Sequence, residues 1–414
     1  MLALRLARGA QPLVQVCRLL VAAASAGTGL LLLCTLGYAL AHPDAPAGSV
    51  LRLVWCLVPL AATVYLAVSV ARTDPATRPR SGLATIGLGP ARLMVLSALT
   101  TALPTALGSL LALLAFLHLR GDLPGTPFDG AAAGFLAADV PLPLPAALTL
   151  LTLVPLAASV ASAVALRPRE AAQRPAGPRG GAPADSVTGG ASEERAAALP
   201  DEDPVSGLSP GAGPAPGGLP WGLAAIAAGL AVEAHASGSG GAPRFRLPGG
   251  LAGGPAGVLA GWALTALGLA LVGPALAYLC GRLLEAARPG AVRLLAGRGL
   301  QQEAGRIGRP LGVVCAVASG AYAMTAPYAG ARLSFGPLTT LGALLVAGCA
   351  LATLVTAAIE ARQARAGTVA ALVRLGAPAT LLRGAALLRA GAVVTVFVPL
   401  TWAVAELAAM PLRG

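Results

Sequence analysis

The sequence predicts an all-α, polytopic helical membrane protein with about nine transmembrane helices. Three observations carry this prediction. Of the 414 residues, 56% are hydrophobic and 11% are charged, and the mean hydropathy is +0.76, which leaves too little charge to cover a soluble surface. Several apolar runs reach the ~20 residues that a helix needs to cross a bilayer. Ala, Gly and Leu dominate over aromatics, and no alternating segments of about 10 residues mark barrel strands.

The chain divides as follows. Arg5, Arg8 and Arg18 precede a first span, Leu19–Ala41, which is longer than a signal-peptide core and is expected to stay uncleaved. After a short loop with His42, Pro43 and Asp44 comes the second span, Leu51–Val70. The basic segment Ala71–Leu93 follows, then the third span, Leu93–Leu119, which Pro104 can kink. A Gly/Pro-containing loop with Asp122, Asp129 and Asp139 leads to the fourth span, Pro141–Leu166.

Residues 167–218 are rich in Pro, Gly, Ala and Ser, with Glu193, Glu194 and Asp201-Glu202-Asp203, and read as a disordered cytosolic linker. Spans five (Leu219–Ala236) and six (Leu251–Leu279) come next, the latter with Gly253, Gly257 and Gly261 at the spacing that lets helices approach closely. Gly281–Arg309 is basic and partly amphipathic, with Leu283, Leu284, Val292, Leu294 and Leu295, and is expected along the inner membrane surface. Span seven is Pro310–Tyr328 and span eight Pro337–Ile359. A second basic segment, Glu360–Leu382, precedes span nine at Leu387–Leu407.

The expected units are therefore 1–166 (a first repeat of four spans), 167–218 (the linker), 219–280 (two connecting spans) and 281–414 (a second repeat of three spans). Placing the N-terminus in the cytosol puts 22 arginines on the inner side and 6 on the outer, as the positive-inside rule requires.

Composition also excludes functions. The formal charge is +12, but the basic residues alternate with apolar runs and form no patch with aromatics, so nucleic acid is not the expected partner. All 29 basic residues are Arg. Without Lys the chain cannot carry the phosphate-binding lysine of a Walker A loop. The six cysteines lie in or beside apolar runs and form no CxxC pair; packing residues in helices are the expected role. His118 and His235 lack metal-ligand spacing. Glu233 and Glu406 fall near the outer ends of spans, where a hydrated carboxylate is the ordinary reading and ion or proton work the alternative. Arg389, near the start of span nine, is expected to snorkel toward the interface.

The two basic segments align without gaps. Ile86-Gly87-Leu88-Gly89-Pro90 matches Val373-Arg374-Leu375-Gly376-Ala377, and Arg78 and Arg365 each fall 11 residues before the aligned Gly. In each half the order is basic segment, span, short outer loop, span, basic segment, span. Each segment is read as a short cytosolic helix between spans. Leu372, Val373 and Leu375 offer an apolar contact face, and Gly376 permits a tight turn.

This pattern resembles the FtsX/MacB-like permeases of ABC transporters. In that family a span is followed by a basic segment with an acidic residue, then hydrophobic-x-Leu-Gly-Ala and another span. Glu360, Arg362, Arg365, Val373, Leu375, Gly376 and Ala377 match it. In the first copy Asp74 supplies the acidic residue and Pro90 replaces Ala. The composition is similar to that of high-GC actinobacterial proteins. The loops Ala41–Val50 and Gly330–Gly336 are too short for the large extracytoplasmic domain usual in the family.

The resemblance implies a permease subunit in the plasma membrane, with no ATP-hydrolysis site and no cofactor of its own. It would couple to a separately encoded ABC ATPase, in two copies. Ile86, Leu88, Gly89 and Pro90 in one half and Leu372, Val373, Leu375, Gly376, Ala377 and Pro378 in the other would form the contacts, flanked by Arg78, Glu360, Arg362 and Arg365. Two other classes stay open: an ion-coupled secondary transporter, and a non-transporting membrane scaffold or sensor that uses the acidic linker.

Overall fold

The computed structural model describes residues 12–73, 90–122, 138–165, 217–238, 254–286, 290–325 and 336–413, with Gly130, Ala132, Ala133, Leu136, Arg244 and Phe245. Among these residues lie nine helices: α1 (Pro12–Ala41), α2 (Pro46–Thr73), α3 (Pro90–Arg120), α4 (Leu144–Ala165), α5 (Leu219–Gly238), α6 (Ala256–Ala286), α7 (Ala291–Thr325), α8 (Pro337–Arg374) and α9 (Ala379–Arg413). Each is long and apolar enough to cross a membrane. The chain is an all-α multi-pass membrane protein. The linker expected at 167–218 lies almost wholly outside the described residues. So does most of the first basic segment, including Arg78, Ile86, Leu88 and Gly89.

Helix α1, α2, α3 and α8 each begin on proline, whose fixed φ suits the first helical position and whose missing N–H is no loss there. Other prolines sit inside helices: Pro59, Pro104, Pro155, Pro274 and Pro310. Each deletes one backbone hydrogen bond, a loss that a packed membrane helix tolerates. Helix α7 runs through Pro310, where the sequence placed the beginning of a separate span.

Small residues and hydroxyls set the packing. Helix α1 runs antiparallel to α2 and parallel to α3. Thr28 and Thr63 join the first pair through their hydroxyls at 2.8 Å, and Ser25 Oγ donates to the Thr105 carbonyl of α3 at 2.7 Å. A Cβ on Gly108 would stand 2.3 Å from the Ala22 carbonyl oxygen, so only glycine fits this crossing. Ser109 Oγ ties α3 to α4 by donating to the Leu151 carbonyl at 3.1 Å.

Helices α5, α6 and α7 nest in the same way. Gly257 and Gly261 of the expected close-packing motif do face α5, against Ala236 and Glu233, whereas Gly253 lies outside the described residues. At the α6–α7 crossing a Cβ on Gly273 would stand 2.0 Å from the Gly308 carbonyl oxygen. A two-residue antiparallel pairing, β1 (Arg244–Phe245) with β2 (Gly254–Pro255), precedes α6.

Matching helices of the two halves make matching contacts. Helix α8 is antiparallel to α7, as α2 is to α1, and α9 is parallel to α7, as α3 is to α1. The halves meet along α8. Thr356 Oγ1 donates to Ser69 Oγ of α2 at 3.1 Å, and Leu345 lies over Gly27 of α1. All six cysteines are buried.

Two expectations need correction. Gly281–Arg309 is not a separate segment on the membrane surface. Its first part closes α6, and Ala291–Arg309 forms the first turns of α7. The packing face there is Ala296, Gly297 and Ala304 with Leu300, while Leu283 and Leu294 point outward. Small side chains win that face because they let the backbones of α6 and α7 close on each other. Likewise Glu360–Arg374 is no separate short helix. It continues span eight as the last part of α8. No proline lies between Ile359 and Arg374, and the single Gly367 costs only about 1 kcal/mol against alanine, so the hydrogen-bonded ladder carries on past the apolar span.

Candidate functional site: the free end of α8 and its charge clamp

Helix α8 has 38 residues, about 57 Å at 1.5 Å per residue, against a hydrocarbon core of about 30 Å. The excess is the charged portion from Glu360 to Arg374.

The helix stops at a glycine turn of the expected kind. Gly376 has φ +85°, a left-handed conformation that side chains resist. The Ala377 N–H donates to the Leu372 carbonyl and the Gly376 N–H to the Val373 carbonyl, both at 3.0 Å. Two terminal carbonyls are thereby satisfied in the Schellman arrangement. No atom lies within 4 Å of where a Cβ on Gly376 would stand, so backbone conformation alone, not crowding, demands glycine. Pro378 then precedes α9.

Around this turn the surface is open and partly apolar. Leu375 is 84% exposed and Val373 54%. Leu372 and Ala377 are half-buried, and Pro378 is exposed. Of the three residues expected to form the apolar face, Val373 and Leu375 are therefore presented and Leu372 turns partly inward. Arg362 and Arg374 are exposed.

The flanking charges do more than flank. Arg365 Nε, whose N–H donates to the Ala361 carbonyl of its own helix, lies 2.8 Å from Glu303 Oε1 of α7 in an ion pair. Arg389 Nη1 of α9 lies 3.8 Å from the same oxygen. Glu303 is 6% exposed, so one buried carboxylate holds arginines from two other helices. One turn away, Arg306 Nε lies 3.9 Å from Glu360 Oε1. Gly299 makes room for this cluster: a Cβ there would stand 2.7 Å from Arg389 Nη1. Arg389 thus points inward to Glu303 and does not snorkel, because a buried counter-charge outbids the interface.

Glu303, Gly299 and the inward turn of Arg389 escaped the sequence reading. A usable signal existed. Ala296, Leu300, Glu303 and Ala304 recur at three- and four-residue spacing, which puts Glu303 on the packing face of its helix.

At the other end of the bundle Glu406 accepts a hydrogen bond from the Tyr322 hydroxyl. Glu233 is fully buried, which overturns the hydrated reading: its side chain folds over Gly261, where no side chain competes for the space. Of the candidate contact residues in the first copy only Pro90, the first residue of α3, is described. No family model, no curated protein and no solved structure matches the chain.

Proposed function

We propose that this chain is the transmembrane permease subunit of an ABC transporter, similar to FtsX/MacB-like permeases, with the free end of α8 as its contact for a separately encoded ATPase. One observation carries the reading. A helix that packs on both halves continues beyond its apolar span and ends in an exposed Val373/Leu375 tip, stiffened by a hydrogen-bonded glycine turn.

A push on that tip has a defined route into the membrane. Helix α8 is continuous, so it moves as a rigid element. The Glu303 clamp passes displacement to α7 and α9, and the contacts with α1 and α2 pass it to the first half. The ATPase supplies hydrolysis, and this chain supplies levers and spans. With a second contact at Ile86–Pro90, each chain would engage two ATPase copies. The N-terminus would be cytoplasmic and the membrane the plasma membrane, with the arginine-rich ends inside.

Co-purification in mild detergent tests the reading. An ATPase with a Walker A loop should accompany the native chain and be lost from Leu375→Asp. Recovery of the native chain without any such ATPase counts against it.

A further inference from the structure

Glu233 has no part in that mechanism, and its surroundings are built around it. It lies near the end of α5 remote from the α8 tip. Its side chain is wholly enclosed by protein, at 0% exposure. Two glycines make the slot. A Cβ on Gly261 would stand 2.4 Å from Glu233 Cγ, and a Cβ on Gly229 would stand 2.3 Å from Thr265 Oγ1. In the space they leave, the Thr265 hydroxyl donates to Glu233 Oε1 at 3.4 Å. Glu233 Oε2 is buried with no partner.

Among the described residues Glu233 forms no ion pair. Helix α6 presents no titratable side chain from Ala256 to Ala277. The other titratable or charged groups of the elements packed there are His235 on α5, Arg244 on β1, and Glu406 of α9, which is bonded to Tyr322 of α7. A carboxylate enclosed at membrane depth with one oxygen unsatisfied is a costly arrangement. A carboxylic acid in the same slot is not, because it is neutral. A metal cation would need several oxygen ligands, and among the described residues only the Thr265 hydroxyl is hydrogen-bonded to the carboxyl.

We propose that Glu233 is a proton-binding site. In the packed arrangement of α5 and α6 it is a neutral acid, its proton drawn from the aqueous phase at its own end of the bundle. Giving the proton up requires the helices to part at Gly229 and Gly261, so proton occupancy and the packing of this helix pair are linked. The site is independent of ATPase docking and stands or falls separately from it.

Infrared spectra of the full chain in lipid bilayers at neutral pH test this. The native protein should show the carbonyl stretch of a protonated carboxylic acid, shifting on exchange into D2O. Glu233→Gln should remove that band and Glu406→Gln should keep it. Thr265→Val, close in shape, keeps the acid but removes its hydrogen-bond donor, and should move the band to higher frequency. A native spectrum without the band, or a band that survives Glu233→Gln, or one that Thr265→Val leaves unmoved, overturns the proposal.

Discussion

Arg365 Nε forms an ion pair with Glu303 Oε1 at 2.8 Å, across the interface between α8 and α7. These residues are 62 positions apart in the chain, and their pairing joins the extended end of α8 to the rest of its bundle. Arg389 shares the carboxylate from α9 at 3.8 Å, so removing Glu303 leaves two arginines facing each other.

Glu303→Gln should therefore destabilise the protein. Breaking a buried pair from one side costs ~3–5 kcal/mol, and the 30% exposure of the Arg365 side chain reduces this to about 2 kcal/mol. In a double-mutant cycle read by thermal unfolding in detergent, the coupling of Glu303 to Arg365 should exceed that of Glu303 to Arg389, following the two distances. Equal couplings would contradict the ordering by distance, and the absence of any coupling would show that the clamp carries no load.

At Gly376 conformation and volume make opposite forecasts. The site has φ +85° and open space around it. Gly376→Ala should cost about 1 kcal/mol or more despite the room, while Gly376→Asn should cost less, because Asn tolerates the left-handed region. Unfolding midpoints of the two variants decide the matter; an Ala variant as stable as the native chain would refute the conformational demand.

The α6–α7 crossing allows a paired comparison on one helix. A Cβ on Gly308 would stand 2.4 Å from Pro274 Cα, a backbone atom that cannot yield, whereas Gly305 has nothing within 4 Å. Gly308→Ala should lose ~1–3 kcal/mol through overpacking. Gly305→Ala should be neutral or gain up to about 1 kcal/mol from helix propensity. The same unfolding measurement checks both, and similar effects at the two sites would contradict the packing described.

How far these features were legible in the sequence follows from their physics. Spans such as Leu51–Val70 and Leu219–Ala236 were readable because apolar length is a local property, and α2 and α5 enclose them. Gly376 was readable because Gly-Ala-Pro after a helical run is a local stop signal. The continuation of α8 to Arg374 and of α7 back to Ala291 was not read from the sequence: hydropathy reports where lipid begins and says nothing about where a helix ends. Glu303 and Arg389 are partners only after α7 and α9 lie side by side. Glu233 resembled an interfacial carboxylate until the enclosure made by Gly229 and Gly261 was visible.

Crosslinking from the α8 tip decides whether it docks on an ATPase. All six native cysteines are buried, so Leu375→Cys adds an exposed thiol. Leu344→Cys, 67% exposed within the apolar span of the same helix, serves as the control. A thiol-reactive photo-crosslinker attached at each position in native membranes should yield, from position 375 only, an adduct containing a Walker A peptide. No ATPase adduct from position 375, or an equal adduct from position 344, would contradict docking at this site.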